Sequence, residues 1–347
     1  MNTKASNQPN NSDEASLTAA FSISIFERGL LLITATWAVF SWCVMIARIM
    51  SDMHPIWDLA SHLSWHTWVA LSVALLFSVL GLRFRIGESR LRWWHRFIMV
   101  LPPWLYFTWV TLPWTTLPLE PNHADVPGLK IFAWNIWVMN QSPDEVLKSI
   151  RESDADIVAI VELTHHNAEL LKVLETEYPY PYWLPDYTGR GMAMLSRIPG
   201  TRFRSFDLAD QGMPVIEADV PETDEHSSYR VIAVHTRSPD LHQKTLDRNL
   251  QLNALADWAN QSNKPGIIIG DLNITPWSPP FARLMNRANL EDSRTYRGHF
   301  ASWPTDLKDF AIPIDHALVT KGTKVLYRGV GDSAPDSDHR PITVIVK

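Results

Sequence analysis

The chain has 347 residues, of which 46% are apolar, enough for a membrane-embedded part and a separate globular domain. Residues 1–125 carry no net charge, and the remainder carries the whole net charge of −6. That acidity argues against a domain that grips nucleic acid backbones through a broad basic face. The single cysteine, Cys43, excludes an intramolecular disulfide and a cysteine-rich zinc site.

The first third of the chain has the pattern of a membrane anchor. Residues 1–20 are polar and rich in Asn and Ser, which predicts a disordered tail. Residues 21–117 contain three apolar segments, Gly29–Ala47, Trp65–Leu82 and Phe97–Leu117. The first two have the roughly 20 apolar residues of a transmembrane helix, and Pro102 and Pro103 predict a kink in the third. A buried core helix is the alternative for each segment.

The loops between these segments predict the orientation of the anchor. Five arginines fill the connection between the second and third segments, Arg83, Arg85, Arg90, Arg92 and Arg96. Short loops rich in Arg and Lys remain in the cytoplasm. Three spans would therefore give an inner- or plasma-membrane protein with a periplasmic or otherwise extracytoplasmic C-terminal domain. If the third segment does not span, the domain would lie in the cytoplasm.

A proline-rich linker at residues 118–128 leads to a soluble α/β domain at residues 129–347. Short β-branched or apolar runs predict nine strands, Leu129–Trp134, Ile157–Val161, Gly191–Ser196, Val215–Val220, Tyr229–Val234, Gly266–Ile269, Ile314–Thr320, Thr323–Tyr327 and Ile342–Val346. Amphipathic stretches predict four helices, Ser142–Ser153 with a capping box from Ser142 to Glu145, His165–Glu177, Thr245–Asn260 and Ser278–Asn289. Two packed sheets covered by helices fit this pattern better than a Rossmann fold, because the chain has no glycine-rich nucleotide loop.

Polar residues of catalytic types follow the predicted strands. They lie in five segments, Trp134-Asn135-Ile136, Val161-Glu162-Leu163, Gly270-Asp271-Leu272-Asn273, Ile314-Asp315-His316 and Ser337-Asp338-His339-Arg340-Pro341. Carboxylate and amide oxygens suit Mg²⁺, and a histidine beside a carboxylate can serve near a phosphate. The sequence therefore predicts a metal-assisted site that cleaves phosphodiesters.

Individual residues have competing interpretations. Asp271 and Asn273 would share one face of a strand and act on water and a phosphoryl oxygen, or they simply form a turn. Glu162 and Asp338 are candidate metal ligands or ordinary surface acids. Arg248 is a candidate phosphate contact or part of a solvated helix face.

The histidines divide into two groups. His339 is expected to pair with Asp315, whereas the neighbouring His316 should point to the opposite face and be structural. His235 ends another predicted strand and is the second histidine expected in the site. Its carboxylate partner is not evident from the sequence.

These segments resemble the endonuclease/exonuclease/phosphatase superfamily over about residues 129–347. The most specific are Gly270-Asp271-Leu272-Asn273 and Ser337-Asp338-His339-Arg340-Pro341, and Gly191–Arg197 is similar to the family's strand of the form Gly-X-Ala-X-Leu-Ser-Arg. The resemblance implies a DNase I-like four-layer αββα sandwich, here preceded by three transmembrane helices, with the site at one end.

The resemblance also implies roles for the site residues. The ligands of Mg²⁺ or Mn²⁺ would be Glu162 with Asn135 and Asp338 nearby. Attack by water would be directed by Asp271, and contacts to the phosphate would come from Asn273, His235 and the pair of His339 and Asp315. Trp137 stands where some members of the family have an acid, which favours a single dominant metal.

The predicted function is that of a membrane-anchored, metal-dependent phosphodiesterase. Its phosphodiester would belong to a lipid head group or to a nucleic acid, and in the second case the protein would be a DNA or RNA endonuclease or exonuclease. A catalytically inactive, membrane-tethered binding module is the alternative from another class. Nothing in the sequence indicates an oligomer.

Overall fold

The computed structural model describes residues 11–84, 90–115, 126–332 and 336–347. The chain divides into two compact units, Met1–Ile49 with Leu63–Thr111, and Met50–His62 with Leu112–Lys347. The segment Met50–His62, which connects two apolar helices, therefore belongs to the same unit as the C-terminal part of the chain. The sequence-based division at residue 117 assigned this segment to the anchor.

Within the described residues of the first third of the chain lie four helices, α1 (Asn11–Ile49), α2 (Pro55–Ser61), α3 (Ser64–Phe84) and α4 (Arg90–Thr111). The first unit consists of α1, α3 and α4, which pack through buried residues such as Ala38, Leu71 and Phe107. Three stretches of these helices are long and apolar enough to cross a membrane, Arg28–Ile49, Ser64–Arg83 and Leu91–Trp114. A helix of about 20 residues covers the roughly 30 Å of a bilayer core.

The anchor differs from the sequence-based expectation at its start. Helix α1 begins at Asn11, inside the tail that was expected to be disordered, and residues 1–10 lie outside the described residues. Pro102 and Pro103 lie inside helix α4, which does not end at them, since surrounding groups can compensate the backbone hydrogen bonds that a proline removes from a spanning helix. Arg85 and residues 118–125 of the predicted linker also lie outside the described residues.

Two mixed six-stranded sheets form the centre of the second unit. Its described strands are β1 (Leu129–Asn135), β2 (Ile157–Val161), β3 (Tyr180–Leu184), β4 (Met192–Ser196), β5 (Arg202–Asp207), β6 (Pro214–Val220), β7 (Tyr229–His235), β8 (Gly266–Asp271), β9 (Leu290–Asp292), β10 (Asp315–Thr320), β11 (Val325–Val330) and β12 (Ile342–Val346). The first sheet has the order β11-β12-β1-β2-β4-β3, and the second has the order β5-β6-β7-β8-β10-β9. Its helices after β1 are α5 (Pro143–Ser153), α6 (His165–Leu171), α7 (Gln243–Asn260) and α8 (Pro279–Arg287).

The sheets and helices form four layers. Inward-facing residues of both sheets, such as Ile131, Val231 and Ile269, make one buried cluster between the sheets. The outer face of the first sheet packs against α5 and α6, and the outer face of the second packs against α7 and α8. The predicted αββα sandwich is therefore confirmed.

The sequence-based elements were incomplete at the sheet edges. The sequence did not predict β3, β5 and β9, which are edge strands or only three residues long. Strand β5 has a largely exposed, charged pattern that hides its register in the sequence. Ser142 precedes α5 but makes no capping bond, so the predicted capping box is wrong; its hydroxyl donates to Asp336 instead.

Strand register brings the polar strand ends to one edge of the sandwich. In the first sheet, β1 and β2 run parallel with Asn135 opposite Val161. In the second, β7 and β8 run parallel with His235 opposite Asp271, and antiparallel β10 places Asp315 opposite Asp271 as well. Parallel strands end on the same side, so these residues meet where the chain leaves the sheets.

Candidate active site

A cavity of about 430 Å³ lies at this edge of the sandwich. Six residues expected in the site line it, namely Glu162, His235, Asp271, Asn273, Asp338 and His339. Asn135 and Asp315 are hydrogen bonded to lining residues. The structure thus brings together eight of the nine candidates.

Glycine at position 270 lets the end of β8 approach β7. Gly270 has φ 128°, and a Cβ atom there would lie 2.2 Å from the carbonyl oxygen of Val234. Such a contact is sterically forbidden, so a side chain would push the two strands apart. The close approach aligns Asp271 with His235.

Asp271 and Asn273 face the cavity from a turn rather than from a continuous strand. Strand β8 ends at Asp271, and Asn273 has φ 48°, a left-handed conformation that Asn tolerates better than most residues. The Asn273 amide N–H donates to Asp271 Oδ1 at 2.8 Å, and its Nδ2 donates to the Thr236 carbonyl oxygen at 2.9 Å. These bonds fix both side chains.

Asn135 joins two of the carboxylates. Its Nδ2 donates to Glu162 Oε1 at 2.9 Å and to Asp271 Oδ2 at 3.1 Å. Its own side-chain oxygen accepts the Trp137 N–H at 3.0 Å, and Glu162 Oε2 accepts the Val138 N–H at 2.9 Å. One amide therefore holds acids from the two sheets next to each other.

His235 lies between the same two acids. Its Nε2 is 3.6 Å from Glu162 Oε1 and 3.8 Å from Asp271 Oδ2. The carboxylates that the sequence could not assign to His235 are therefore those two, brought near by the pairing of the sheets.

His339 and Asp315 form a buried pair. His339 Nδ1 is 2.8 Å from Asp315 Oδ2, while its Nε2 is 3.7 Å from Asp271 Oδ2. The Asp315 carboxylate orients the ring, so that Nε2 is the nitrogen directed toward the other acid.

Charges in the site shift the pKa values of three groups. Burial, together with the charge of Asp315, raises the pKa of Asp271 to about 6. Burial alone would lower the pKa of His339, but the carboxylates of Asp315 and Asp271 outweigh it and raise the pKa to about 10. Burial likewise opposes ionisation of Asp315, yet the charge of His339 holds the pKa of Asp315 below its usual value. At neutral pH the pair is therefore imidazolium and carboxylate.

The donor set fits a divalent cation. Asp271, Asp315 and His339 have potential ligand atoms within 4.8 Å of one another, but Asp315 and His339 already bond each other, and a cationic imidazole cannot ligate a metal. Glu162 and Asp338 supply the oxygen atoms that hard cations prefer. Among the described residues lining the cavity, none is Lys or Arg, so the acids have no other permanent cation there.

Arg248 does not line the cavity. It is fully buried, and its Nη2 donates to Asp58 while its Nη1 donates to the carbonyl oxygen of Asn273 at 2.9 Å. The alternative of a solvated helix face is also wrong. An acid nearly two hundred residues earlier in the chain neutralises it, which no local pattern could reveal.

His316 is structural, as expected from its place one residue after Asp315. Its Nε2 lies 2.7 Å from the carbonyl oxygen of Ile274, and Arg294 Nη2 donates to its Nδ1 at 2.7 Å. Burial and the nearby charge of Arg294 lower its pKa to about 3. Both ring nitrogens are therefore used inside the protein.

Sequence reasoning missed several residues of the cavity wall, among them Leu59, His62, Ile312 and Ile314. Trp303 also lines the cavity, and its Nε1 donates to Asp338 Oδ2 at 2.9 Å. For Leu59 and His62, the sequence held one signal, the acidic Asp58 in a short connection between two apolar segments.

The two sheets and the helices on their outer faces define a protein with the DNase I-like fold. The chain belongs to the Endonuclease/Exonuclease/phosphatase family. The sequence model of that family matches residues 132–339, which is more than half of the chain. Members of this family are hydrolases that act on phosphodiester bonds. No curated protein matches the chain at a significant level.

Solved structures share the fold at low sequence identity. The endonuclease/exonuclease/phosphatase from Bacteroides vulgatus is 15% identical, with a TM-score of 0.52 over 63% of this chain and 98% of that one. The 3′ phosphatase NExo from Neisseria, bound to a product DNA hairpin, is 20% identical, with a TM-score of 0.52 over 63% and 99%. TDP2 from D. rerio, complexed with a single-strand DNA product, is 16% identical, with a TM-score of 0.52 over 63% and 98%. At these identities, the likenesses show a shared fold.

Proposed function

We propose that this protein is a membrane-anchored, metal-dependent phosphodiesterase in which water attacks the phosphorus. The observation that carries the proposal is the convergence of four carboxylates, two amides and two histidines on one cavity. A binding module without activity would have no need for all of these groups to meet at one cavity.

Asp271 is the residue placed to orient and deprotonate the attacking water. Its raised pKa of about 6 lies near neutral pH, where a general base works best. The bond from Asn273 N–H to Oδ1 fixes the carboxylate, because a base must be held in a defined geometry to act.

His339 is the residue placed to stabilise charge on the phosphoryl group or the leaving oxygen. As an imidazolium held by Asp315, it presents an Nε2–H donor near Asp271. Donors fixed before the reaction stabilise developing negative charge without reorganisation. His235 and Asn273 are the further donors on the cavity wall.

Glu162 and Asp338 would hold Mg²⁺ or Mn²⁺, which when bound acts as a Lewis acid on phosphoryl oxygens. Asn135, whose amide joins Glu162 to Asp271, would keep the ligand in place.

The cavity wall favours a substrate with a single phosphodiester and an uncharged or apolar substituent, such as a lipid head group. Proteins that hold nucleic acid backbones use Lys and Arg on successive phosphates, and the described lining residues include neither. Apolar side chains of Leu59, Ile312 and Ile314 occupy that wall instead. Nucleic acids are the competing substrate class.

The membrane arrangement follows from where the segment Met50–His62 lies. Because it belongs to the same compact unit as the catalytic domain, both must share one aqueous compartment. Two helices, α3 and α4, separate them along the chain, so both helices cross the membrane or neither does. Since α3 is strongly apolar, we infer three spans, with the arginine loop in the cytoplasm and the domain outside.

Turnover by the full-length protein tests the catalytic proposal. Detergent-solubilised wild type with Mg²⁺ should hydrolyse bis(p-nitrophenyl) phosphate, and Asp271→Ala or His339→Ala should abolish the reaction. Absence of wild-type turnover, or turnover unchanged in both variants, would count against the proposed catalytic site. Assays on phospholipids, DNA and RNA then decide between substrate classes.

Alkaline phosphatase fusions test the arrangement in the membrane. A fusion after Lys347 should be active in the periplasm, and one within the arginine loop should be inactive. The opposite pair of results would place the domain in the cytoplasm.

A further inference from the structure

The segment Met50–His62 contributes two residues, Leu59 and His62, to the wall of the candidate active site. Among the described lining residues, only these two come from outside residues 132–339, the part of the chain that matches the family. In this chain, one side of the cavity is therefore formed by a segment between two apolar helices, outside the part that matches the family.

A buried ion pair holds the segment in place. Asp58 and Arg248 are both fully buried, and Arg248 Nη2 donates to Asp58 Oδ2. The other oxygen of Asp58 accepts the Ser278 hydroxyl at 3.0 Å. Arg248 also donates to the carbonyl oxygen of Asn273, so one guanidinium connects the segment to the turn that carries Asp271. Removing one member of a buried pair leaves an uncompensated charge, which makes this contact hard to open.

Thr275 and Trp277 hold His62 in place. Its Nδ1 lies 2.9 Å from Thr275 Oγ1 and accepts the Thr275 N–H at 3.3 Å, and the His62 carbonyl oxygen accepts the Trp277 Nε1–H at 2.9 Å. Since Nδ1 accepts, the neutral ring carries its proton on Nε2. Burial and the charge of Arg248 lower the pKa of His62 to about 4, which keeps the ring neutral at physiological pH.

The Nε2–H of His62 is a donor without a use in the described part of the protein. It is shielded from solvent and has no hydrogen-bond partner among the described residues, and His62 is one of the residues that line the cavity. A buried donor that stays unpaired is costly. A substrate oxygen in the cavity would satisfy it.

We propose that His62 is a substrate-binding residue that donates from Nε2 to an oxygen of the bound phosphodiester, and that Leu59 contacts the substituent beside it. This inference rests on the proposed phosphodiesterase function and deepens it, because it assigns part of substrate recognition to a loop of the membrane anchor. Recognition would then depend on a segment that the rest of the family fold does not supply.

Steady-state kinetics of the full-length protein on bis(p-nitrophenyl) phosphate test the role of His62. His62→Ala should raise KM about tenfold or more, with a smaller effect on kcat, because a hydrogen bond to a charged group is lost. His62→Gln, which keeps an N–H donor, should recover most of that loss. Ile56→Ala is the matched control, since Ile56 is 44% exposed on the same helix and should leave KM unchanged. An unaltered KM in His62→Ala overturns the proposal.

Hydrogen exchange separates substrate binding from a purely structural role. Asp58→Asn should speed amide exchange across residues 50–62 and raise KM, whereas Asp52→Asn should do neither, because its pair with Arg283 is exposed. His62→Ala should leave exchange of the segment near wild type. If it loosens the segment as much as Asp58→Asn does, His62 is structural and the proposal is wrong.

The proposed function can fail independently. Asp271→Ala tests the reaction, whereas His62→Ala tests recognition. Should the wild type show no turnover, calorimetric binding of bis(p-nitrophenyl) phosphate still tests substrate recognition by His62. Weaker binding by His62→Ala, with unchanged binding by Ile56→Ala, supports the role of His62. Equal binding by His62→Ala and the wild type overturns it.

Discussion

Strand β10 begins with two adjacent polar residues that enter opposite faces of the second sheet, and the two regions they reach differ in how their polar atoms are used. Asp315 bonds His339 Nδ1 and leaves Nε2 directed toward the cavity. His316 lies with Asp292 and Arg294, and both of its ring nitrogens are bonded inside the protein. Residue type and burial are alike, so neither distinguishes a site. The partners of the ring do: Nε2 of His339 lies 3.4 Å from Asn135 Nδ2 and 3.7 Å from Asp271 Oδ2, within the site, whereas both nitrogens of His316 contact groups that do not line the cavity.

The same comparison explains two opposite pKa shifts. His339 faces two carboxylates, and its pKa rises to about 10 despite burial. Burial lowers the pKa of His316, and the adjacent charge of Arg294 adds to the effect, giving about 3. The sign of the neighbouring charge decides whether a buried histidine is an acid ready to donate or a neutral structural group.

The largest effect expected on the cavity side follows from Asp271→Asn, which keeps the shape and removes the base. We expect kcat on bis(p-nitrophenyl) phosphate to fall by about 10³ to 10⁴, the upper range for loss of a general base. Hydrogen exchange of β8 should remain at the wild-type level. A variant that loses its fold along with its activity would show that Asp271 is mainly structural.

On the face of the second sheet that carries His316, Asp292→Asn should reduce the stability of the protein and leave kcat unchanged. Asp292 and Arg294 are fully or nearly fully buried in the wild type, and the substitution leaves the Arg294 cation without its carboxylate. Breaking such a pair costs about 3–5 kcal/mol. Urea unfolding of the full-length protein, followed by exchange of β10, measures the loss. Unchanged urea resistance with reduced kcat would contradict the division between the two regions.

Asp315→Asn tests the role of the Asp315 charge beside His339. His339 would keep a hydrogen-bond partner but lose the charge that favours its imidazolium form, and we expect kcat to fall about 10²-fold. The matched variant on the other face, His316→Gln, should preserve kcat. Equal losses of kcat in Asp315→Asn and His316→Gln would mean that the integrity of β10, and not the face on which the side chain lies, determines activity.

The smallest expected effect is a pH dependence of stability from His316. Its folded pKa of about 3 lies below the ordinary value of 6.5, so the unfolded chain takes up the proton first. The contribution of neutral His316 to the free energy of unfolding is complete above pH 6.5 and is lost as the pH falls toward 3. The loss is about 2 kcal/mol at pH 5. The difference in urea midpoints between wild type and His316→Gln should therefore shrink between pH 7.5 and pH 5. A constant difference would mean that His316 takes up a proton in the folded protein.

Most of the sandwich and of the site could be predicted from the sequence, because their signals are local. Apolar runs such as Ile157–Val161 fix the central strands, and the polar residues that end them reach one edge by parallel pairing. Edge strands such as β5 carry charge on both faces and give no such signal. The partners of Arg248 and His235 depend on chain segments far away in sequence, and no pattern near either residue encodes them.

The buried pair of Asp58 and Arg248 has a practical consequence for any attempt to study a soluble fragment. A chain cut after the apolar helices would keep every residue that matches the family but would lose Asp58, His62 and Leu59 together. Arg248 would be left without its counter-charge, and one side of the cavity would open to water. Weak or indiscriminate activity in such a fragment would then describe the truncation, and the intact protein is the proper object of assay.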